Sequence, residues 1–336
     1  MKAEGSVFTF YSYKGGVGRT LALANVAALL SQWGFKVLCV DWDLEAPGLH
    51  LYFKKWTIKN NPQGLLNLIK DQVAGKKPNW RYYLSKIRFP YHDTELSFLK
   101  AGNQDKDYIN DVQNISWSDY YSEHNIGKYF EQLRNEWKSE YDFILIDSRT
   151  GVTDIGGICS VQLPDFLIVL LTPNDQGLQG SLDVISRIYE ARSNLPFDRG
   201  KLLVMPVISR LDLRSQYEQA QEWLQKFIYS FSDVYAEWLH KKVKTREITN
   251  YLRIPYLPYW SFGEKLPVVE KGTDDPDDIG YYYENIASLI ANKFAKSDSL
   301  VRNRDSYVRV ASSISIETKP DSIFISYSEK DERFAK

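Results

Sequence analysis

Residues 6–20, SVFTFYSYKGGVGRT, constrain this chain more than any other stretch. A short run of strand character enters a turn containing Gly15, Gly16 and Gly18, and an apolar, alanine-rich segment of helical character begins at Thr20. Glycines at these places let backbone amides approach an anion closely, and the helix that follows points its positive end at the same spot. The segment is built to cradle phosphate. Lys14 and Arg19 flank the glycines, and Thr20 supplies a hydroxyl of the kind that binds Mg²⁺ in such loops. A GxGxxG dinucleotide fingerprint is absent, and a lysine before the glycines has no role in that turn.

The rest of the chain repeats the same alternation. Strand-sized apolar runs occur at Val7–Tyr11, Lys36–Val40, Leu96–Lys100, Phe143–Ile146, Phe166–Leu171 and Leu202–Ile208. Amphipathic stretches predict helices at Thr20–Trp33, Ile126–Lys138, Gly177–Arg192, Ser215–Phe227 and Gly280–Ala295. Nearly continuous hydrophobicity in the strands marks a sheet covered on both faces. The predicted fold is therefore α/β, a mostly parallel β-sheet flanked by helices, spanning residues 5–297. Residues 80–129 exceed a simple crossover and carry Trp80, Tyr82, Tyr83, Trp117, Tyr120 and Tyr121, an aromatic-rich insertion that either forms an interface or packs on its own domain. Polar residues 298–320 read as a linker.

Composition excludes several classes of function. With 336 residues, a formal net charge of −1 and a pI of about 6.5, the chain has no global basic field to drive binding to nucleic acid or a membrane surface. Lys241, Lys242, Lys244, Arg246 and Arg253 form the best local basic group, and such a group is usually just a solvated helix face. Two cysteines, Cys39 and Cys159, make neither a disulfide framework nor a metal site. The N-terminus lacks a signal pattern, and runs such as Phe166–Leu171 are too short to span a bilayer, so a cytoplasmic location without a membrane partner is expected.

KGGVGRT at 14–20 resembles the deviant Walker A motif of MinD/ParA-class P-loop ATPases. The resemblance covers roughly residues 5–297 and implies ATP and Mg²⁺ as cofactors. It implies phosphate contacts from Lys14, Gly15, Gly16, Val17, Gly18, Arg19 and Thr20, with Lys14 reaching the nucleotide of a partner subunit in a homodimer. Arg19 is a departure, since most of the family has lysine there; arginine keeps the charge but is larger, planar and bidentate. DWDLEAPG at 41–48 resembles the family's switch I segment, which implies Asp43 as the residue that positions attacking water and Asp41 as support for a Mg²⁺-bound water. Asp147, ending the strand Phe143–Ile146, falls at the Walker B position and implies a further Mg²⁺ contact. Arg149 reads as a phosphate contact or a surface ion pair. SRLD at 209–212 stands where the family reads the base, so Asp212 either accepts from a base amine or caps the next helix, and IPYLPYW at 254–260 stands where a loop covers adenine.

The last 16 residues, 321–336, contain FISYSEKDERFA, which resembles the opening strand and helix of a TIR domain. The expectation is a slowly hydrolysing, Mg²⁺-dependent dimeric ATPase switch that controls a C-terminal TIR effector in bacterial defence or signalling, answering to a protein trigger. The alternatives are a non-hydrolysing assembly module and a partition-type ATPase.

Overall fold

The computed structural model of the protein describes residues 4–90, 93–151, 157–195 and 199–317. Eight strands form one sheet in the order β3-β4-β5-β2-β6-β1-β7-β8. They are β1 (Ser6–Tyr11), β2 (Val37–Asp41), β3 (Thr57–Lys59), β4 (Ser85–Arg88), β5 (Glu95–Leu99), β6 (Phe143–Asp147), β7 (Phe166–Leu171) and β8 (Leu203–Ile208). The six strands from β5 to β8 in that order pair parallel, and β4 and β3 add an antiparallel edge.

The strands sort their side chains with period two between two cores. Phe8 and Phe10, Val37 and Cys39, and Phe143 and Leu145 enter one core with the helix α1 (Arg19–Gln32), whereas Val7, Leu38, Val40, Ile144 and Ile146 enter the other. Because both faces are covered, these strands have no polar face to alternate with. The first core also takes α2 (Leu49–Phe53). The second holds α3 (Leu65–Val73) and the short helices α4 (Tyr108–Gln113) and α5 (Trp117–Ser122), together with α6 (Ile126–Glu140). Later come α7 (Asp175–Ser193), α8 (Tyr217–Ala236), α9 (Thr245–Leu252), α10 (Pro267–Glu270) and α11 (Ile279–Ala291). Helix α1 is buried on nearly every side, between the sheet and α11.

The aromatic stretch mostly serves its own domain. Trp80, Tyr83 and Trp117 are buried in the second core, Tyr120 packs against it, and Trp80 Nε1 donates to Glu136 on α6 at 2.7 Å. Tyr82 and Tyr121 remain exposed.

The linker expected at 298–320 is corrected over most of its length. Residues 297–317 form α12 (Ser297–Arg302) and α13 (Arg304–Glu317). Leu300, Tyr307 and Ala311 are buried at helical spacing, Tyr307 Oη donates to the Ala295 carbonyl at 2.8 Å, and Arg304 Nε donates to Asn285 of α11 at 2.8 Å. Apolar side chains diluted among serines and arginines read as polar sequence, yet they suffice to dock two short helices. Residues 318–336, including the segment that resembles a TIR domain, lie outside the described residues. No helix among the described residues is long and apolar enough to cross a membrane.

Candidate functional site: a phosphate cradle with an internal ion-pair triad

Parallel register brings the site together. Asp41 pairs with Asp147 across β2 and β6, and Phe10 with Asp147 across β1 and β6, so three strands end level beneath the loop that follows β1. A slip of one residue would turn Asp147 to the opposite face of the sheet. The loop itself is open. Gly15, Gly16 and Gly18 have nothing within 4 Å of where a Cβ would stand, and Gly16 and Gly18 have φ of +75° and +88°, which suit glycine. Gly18 caps α1 without any side-chain hydrogen bond to its first turn, leaving those amides for an anion.

Arg19 turns inward from this loop. Its Nε donates to Asp147 Oδ1 at 2.6 Å and its Nη2 to Asp43 Oδ2 at 2.9 Å, with the guanidinium only 7% exposed. Thr20 Oγ1 donates to the other oxygen of Asp147 at 2.7 Å. Burial pushes the Asp147 carboxyl above its ordinary range, against the lowering by Arg19 and Thr20. Among the described residues, Arg19 Nη1 and Ser12 Oγ are buried with no hydrogen-bond partner, and both residues line the cradle. Two unpartnered donors beside an open glycine loop fit an anionic ligand.

Asp43 also accepts from the amide of Ala46 at 3.2 Å, so one carboxylate ties the 41–48 loop to Arg19. Asp41 is fully buried and accepts from the amides of Asp43 and Leu49, each at 3.3 Å, bracing that loop from beneath. Burial, with Asp147 and Asp43 nearby, holds its carboxyl well above the usual range. Lys14 sits at the crest of the loop, and its ammonium donates to Gln176 at the start of α7. Tyr13 lies so close to α7 that any side chain at Gly180 would strike its ring. Arg149 pairs with Glu45, partly exposed, which is the surface ion pair of the two sequence readings.

A crevice of about 390 Å³ runs along the loop past Tyr52, Thr150 and Arg210. A narrower pocket continues from it, sharing Val17, Gly18, Leu21 and Arg210 and walled by Tyr256, Trp260 and Tyr283. The 254–260 segment thus supplies much of this pocket's wall. Asp212 does not line this pocket. Its carboxylate accepts from the amides of Arg214 and Ser215, at 3.1 and 2.9 Å, and from Ser215 Oγ, which closes a turn ahead of α8, whose N-cap is Gln216 and not Asp212. Sequence reasoning missed Arg210, which has a left-handed backbone (φ 56°) and a guanidinium 5.8 Å from the Tyr256 ring centre. It also missed Ser12, Tyr52 and Gln176. A positive φ at a non-glycine residue leaves no mark in the sequence.

Comparisons with known proteins agree with this architecture. The chain is 30% identical over 190 residues to the septum site-determining protein MinD of Helicobacter pylori, covering 56% of this chain and 60% of that protein. It is 28% identical over 183 residues to an uncharacterized ATP-binding protein of Methanocaldococcus jannaschii, covering 53% and 58%. The chain thus spans about three-fifths of the length of these curated relatives. Among solved structures, MinD of Pyrococcus horikoshii, complexed with Mg-ADP, superposes with a TM-score of 0.58 at 18% identity, covering 87% of this chain and 98% of that one. A plasmid partition protein of Borrelia burgdorferi superposes with a TM-score of 0.54 at 17% identity, covering 87% and 100%. The fold is that of MinD and ParA P-loop proteins. A family model described as an AAA domain matches residues 5–197, more than half of the chain, and the chain therefore belongs to that family.

Proposed function

We propose that this chain binds ATP with Mg²⁺, hydrolyses it slowly, and uses the bound state to pair with a second copy of itself. The observation that carries this reading is the open glycine cradle beside which Arg19 Nη1 and Ser12 Oγ have no partner among the described residues. Phosphate oxygens satisfy both donors. The base takes the narrower pocket between Arg210, Tyr256 and Trp260. Mg²⁺, held by Thr20 and Asp147 with Asp41 behind them, neutralises phosphate charge. Asp43 is the residue that orients water and accepts its proton, because it is the carboxylate that lines the cradle. Lys14 points to α7 and does not line its own cradle, which supports a role toward the nucleotide of a partner subunit. The C-terminal segment that resembles a TIR domain makes the output a TIR effector, brought together by pairing in bacterial defence or signalling. Steady-state phosphate release by the purified chain, compared with Asp43→Ala, tests this. Release that is equal in both sinks the assignment of Asp43.

One observation favours a second reading, in which nucleotide serves assembly without turnover. Both Asp43 and Asp147 are engaged by Arg19, so the groups needed for hydrolysis are held by an internal cation. Under that reading phosphate release is absent while ATP still shifts the mass measured by light scattering.

A further inference from the structure

A second cavity, of about 550 Å³, opens at the same end of the sheet as the nucleotide crevice. Its walls include His50 of α2 and Lys54 immediately after it, Lys100 immediately after β5, and the polar side chains of Asn60, Ser85 and Asn103. Three basic residues and no acidic one line it. Among the described residues neither Lys54 nor Lys100 makes an ion pair. The carboxylate of Asp105, at the rim, is taken up by Asn103 Nδ2 at 3.0 Å and by the amides of Asp107 and Tyr108. Burial holds the Lys100 ammonium below its ordinary value with no carboxylate opposing it. His50 is likewise held low, first by burial and then by Lys100 and Lys54. Positive charges gathered in a concavity without counter-charges repel one another, and an anion bound among them removes that repulsion.

The position is also that of a ligand site. In open α/β sheets, ligands bind beyond the carboxyl ends of the parallel strands. Val40 pairs with Leu99, so Lys100 stands level with Asp41 at that end. Helix α2 is the shared wall, with Tyr52 on the nucleotide crevice and His50 and Leu51, followed by Lys54 at its C-terminal end, on the second cavity. The same helix is tied to the Arg19 triad, because the Leu49 amide donates to Asp41 and Asp41 accepts from the amide of Asp43.

We propose that this cavity binds a small phosphorylated anion and that its occupancy is coupled through α2 to the nucleotide crevice. The cavity lies within the range of about 300–1,000 Å³ usual for small-ligand pockets, and its imidazole, amide and hydroxyl groups add donors to two ammonium groups. A concave pocket of this kind favours a compact ligand over the extended backbone of a nucleic acid, and the chain's net charge of −1 provides no wider basic surface. Coupling between two sites is reciprocal, so the anion and the nucleotide must change each other's affinity by the same factor.

The test is calorimetric titration of inorganic tripolyphosphate into the full chain saturated with a non-hydrolysable ATP analogue and excess Mg²⁺. The expected result is one further binding event per chain, at least tenfold weaker in Lys54→Ala/Lys100→Ala. That variant keeps its affinity for the analogue, measured alone, within twofold. Should its melting temperature fall, Lys54→Gln/Lys100→Gln replaces it with the same expectation. Absence of the second event, or an event of equal strength in the double variant, overturns the proposal. A 20-nucleotide single strand that binds more tightly than tripolyphosphate and is lost in the same variant overturns the assignment to a small ligand. Tripolyphosphate should shift the affinity for the analogue at least twofold more in the wild type than in Lys54→Ala/Lys100→Ala, where only competition in the crevice remains, and an equal shift in both refutes the coupling. If the wild type binds no nucleotide at all, the function proposed above fails. Tripolyphosphate binding that depends on Lys54 and Lys100 would still uphold the second site.

Discussion

Arg19→Ala removes the one cation that, among the described residues, pairs with Asp43 and Asp147. In the folded chain the guanidinium is 7% exposed, and its two carboxylate partners are 11% and 1% exposed, so water does little to replace it. Removing one member of a buried pair costs about 3–5 kcal/mol, because the charge left behind remains desolvated. Counting the bonds gives a similar figure: Arg19 makes one hydrogen bond to Asp147 at 2.6 Å and one to Asp43 at 2.9 Å. Each charge-assisted bond contributes about 1.5–3 kcal/mol. For an m-value of about 3 kcal/mol/M, the urea midpoint should fall by about 1–1.7 M. The assay is equilibrium urea unfolding followed by tryptophan fluorescence, at pH 7 without nucleotide. Arg19→Lys should lose less, since it keeps the charge but not the fork that reaches both carboxylates. Adding Asp43→Asn and Asp147→Asn to Arg19→Ala should recover part of the loss, because the uncompensated charges disappear with their partner. A midpoint within about 0.3 M of the wild type in Arg19→Ala, or no recovery in the triple variant, would refute the view that Arg19 balances this triad.

Lys14→Ala should keep appreciable nucleotide binding by calorimetry while losing nucleotide-induced dimerisation in light scattering; equal loss of binding in Lys14→Ala and Arg19→Ala would make Lys14 a local phosphate ligand only. Tyr256→Ala, at a ring that is 38% exposed and beside Arg210, should weaken ATP about fivefold or more, from about 1–3 kcal/mol of base stacking, without weakening tripolyphosphate in the crevice. An equal effect on both ligands would place the base elsewhere. His50 is held below the ordinary histidine value of 6.5, so the unfolded chain takes up its proton first and stability is lost as pH falls from 6.5 through the folded value. Urea midpoints of His50→Asn measured from pH 5 to 7 should lack that component, and identical pH profiles for variant and wild type would show that His50 titrates normally.

Much of the fold was legible because its signals are local. The turn at 14–20 needs glycines at fixed places whatever surrounds it, and β1, β6 and β7 are apolar on both faces, so each announces a strand by itself. The edge strands β3 and β4 gave no such signal. TIK and SKIR are short and half polar, and they are strands because β5 offers them a partner. Helices α12 and α13 were read as linker for a related reason, their apolar residues being sparse and sufficient only against the surface of α11.

The site divides in the same way. Sequence named Lys14, Arg19, Thr20, Asp41, Asp43 and Asp147 because the segments that hold them, at strand ends and in the glycine turn, resemble a family's motifs in the same chain order. It left open what these groups do to one another. That Arg19 joins Asp43 to Asp147, that Asp41 braces a loop, and that Asp212 caps a turn depend on the register between β2 and β6 and on loop conformations. Tertiary structure alone gathered His50, Lys54 and Lys100 around one cavity, since Lys100 is 46 residues from Lys54 in the chain and meets it only through the pairing of β2 with β5. Short-range sequence fixes which backbone shapes are possible, but distant charges meet only where the sheet's register puts them, and that register is a property of the whole packed chain.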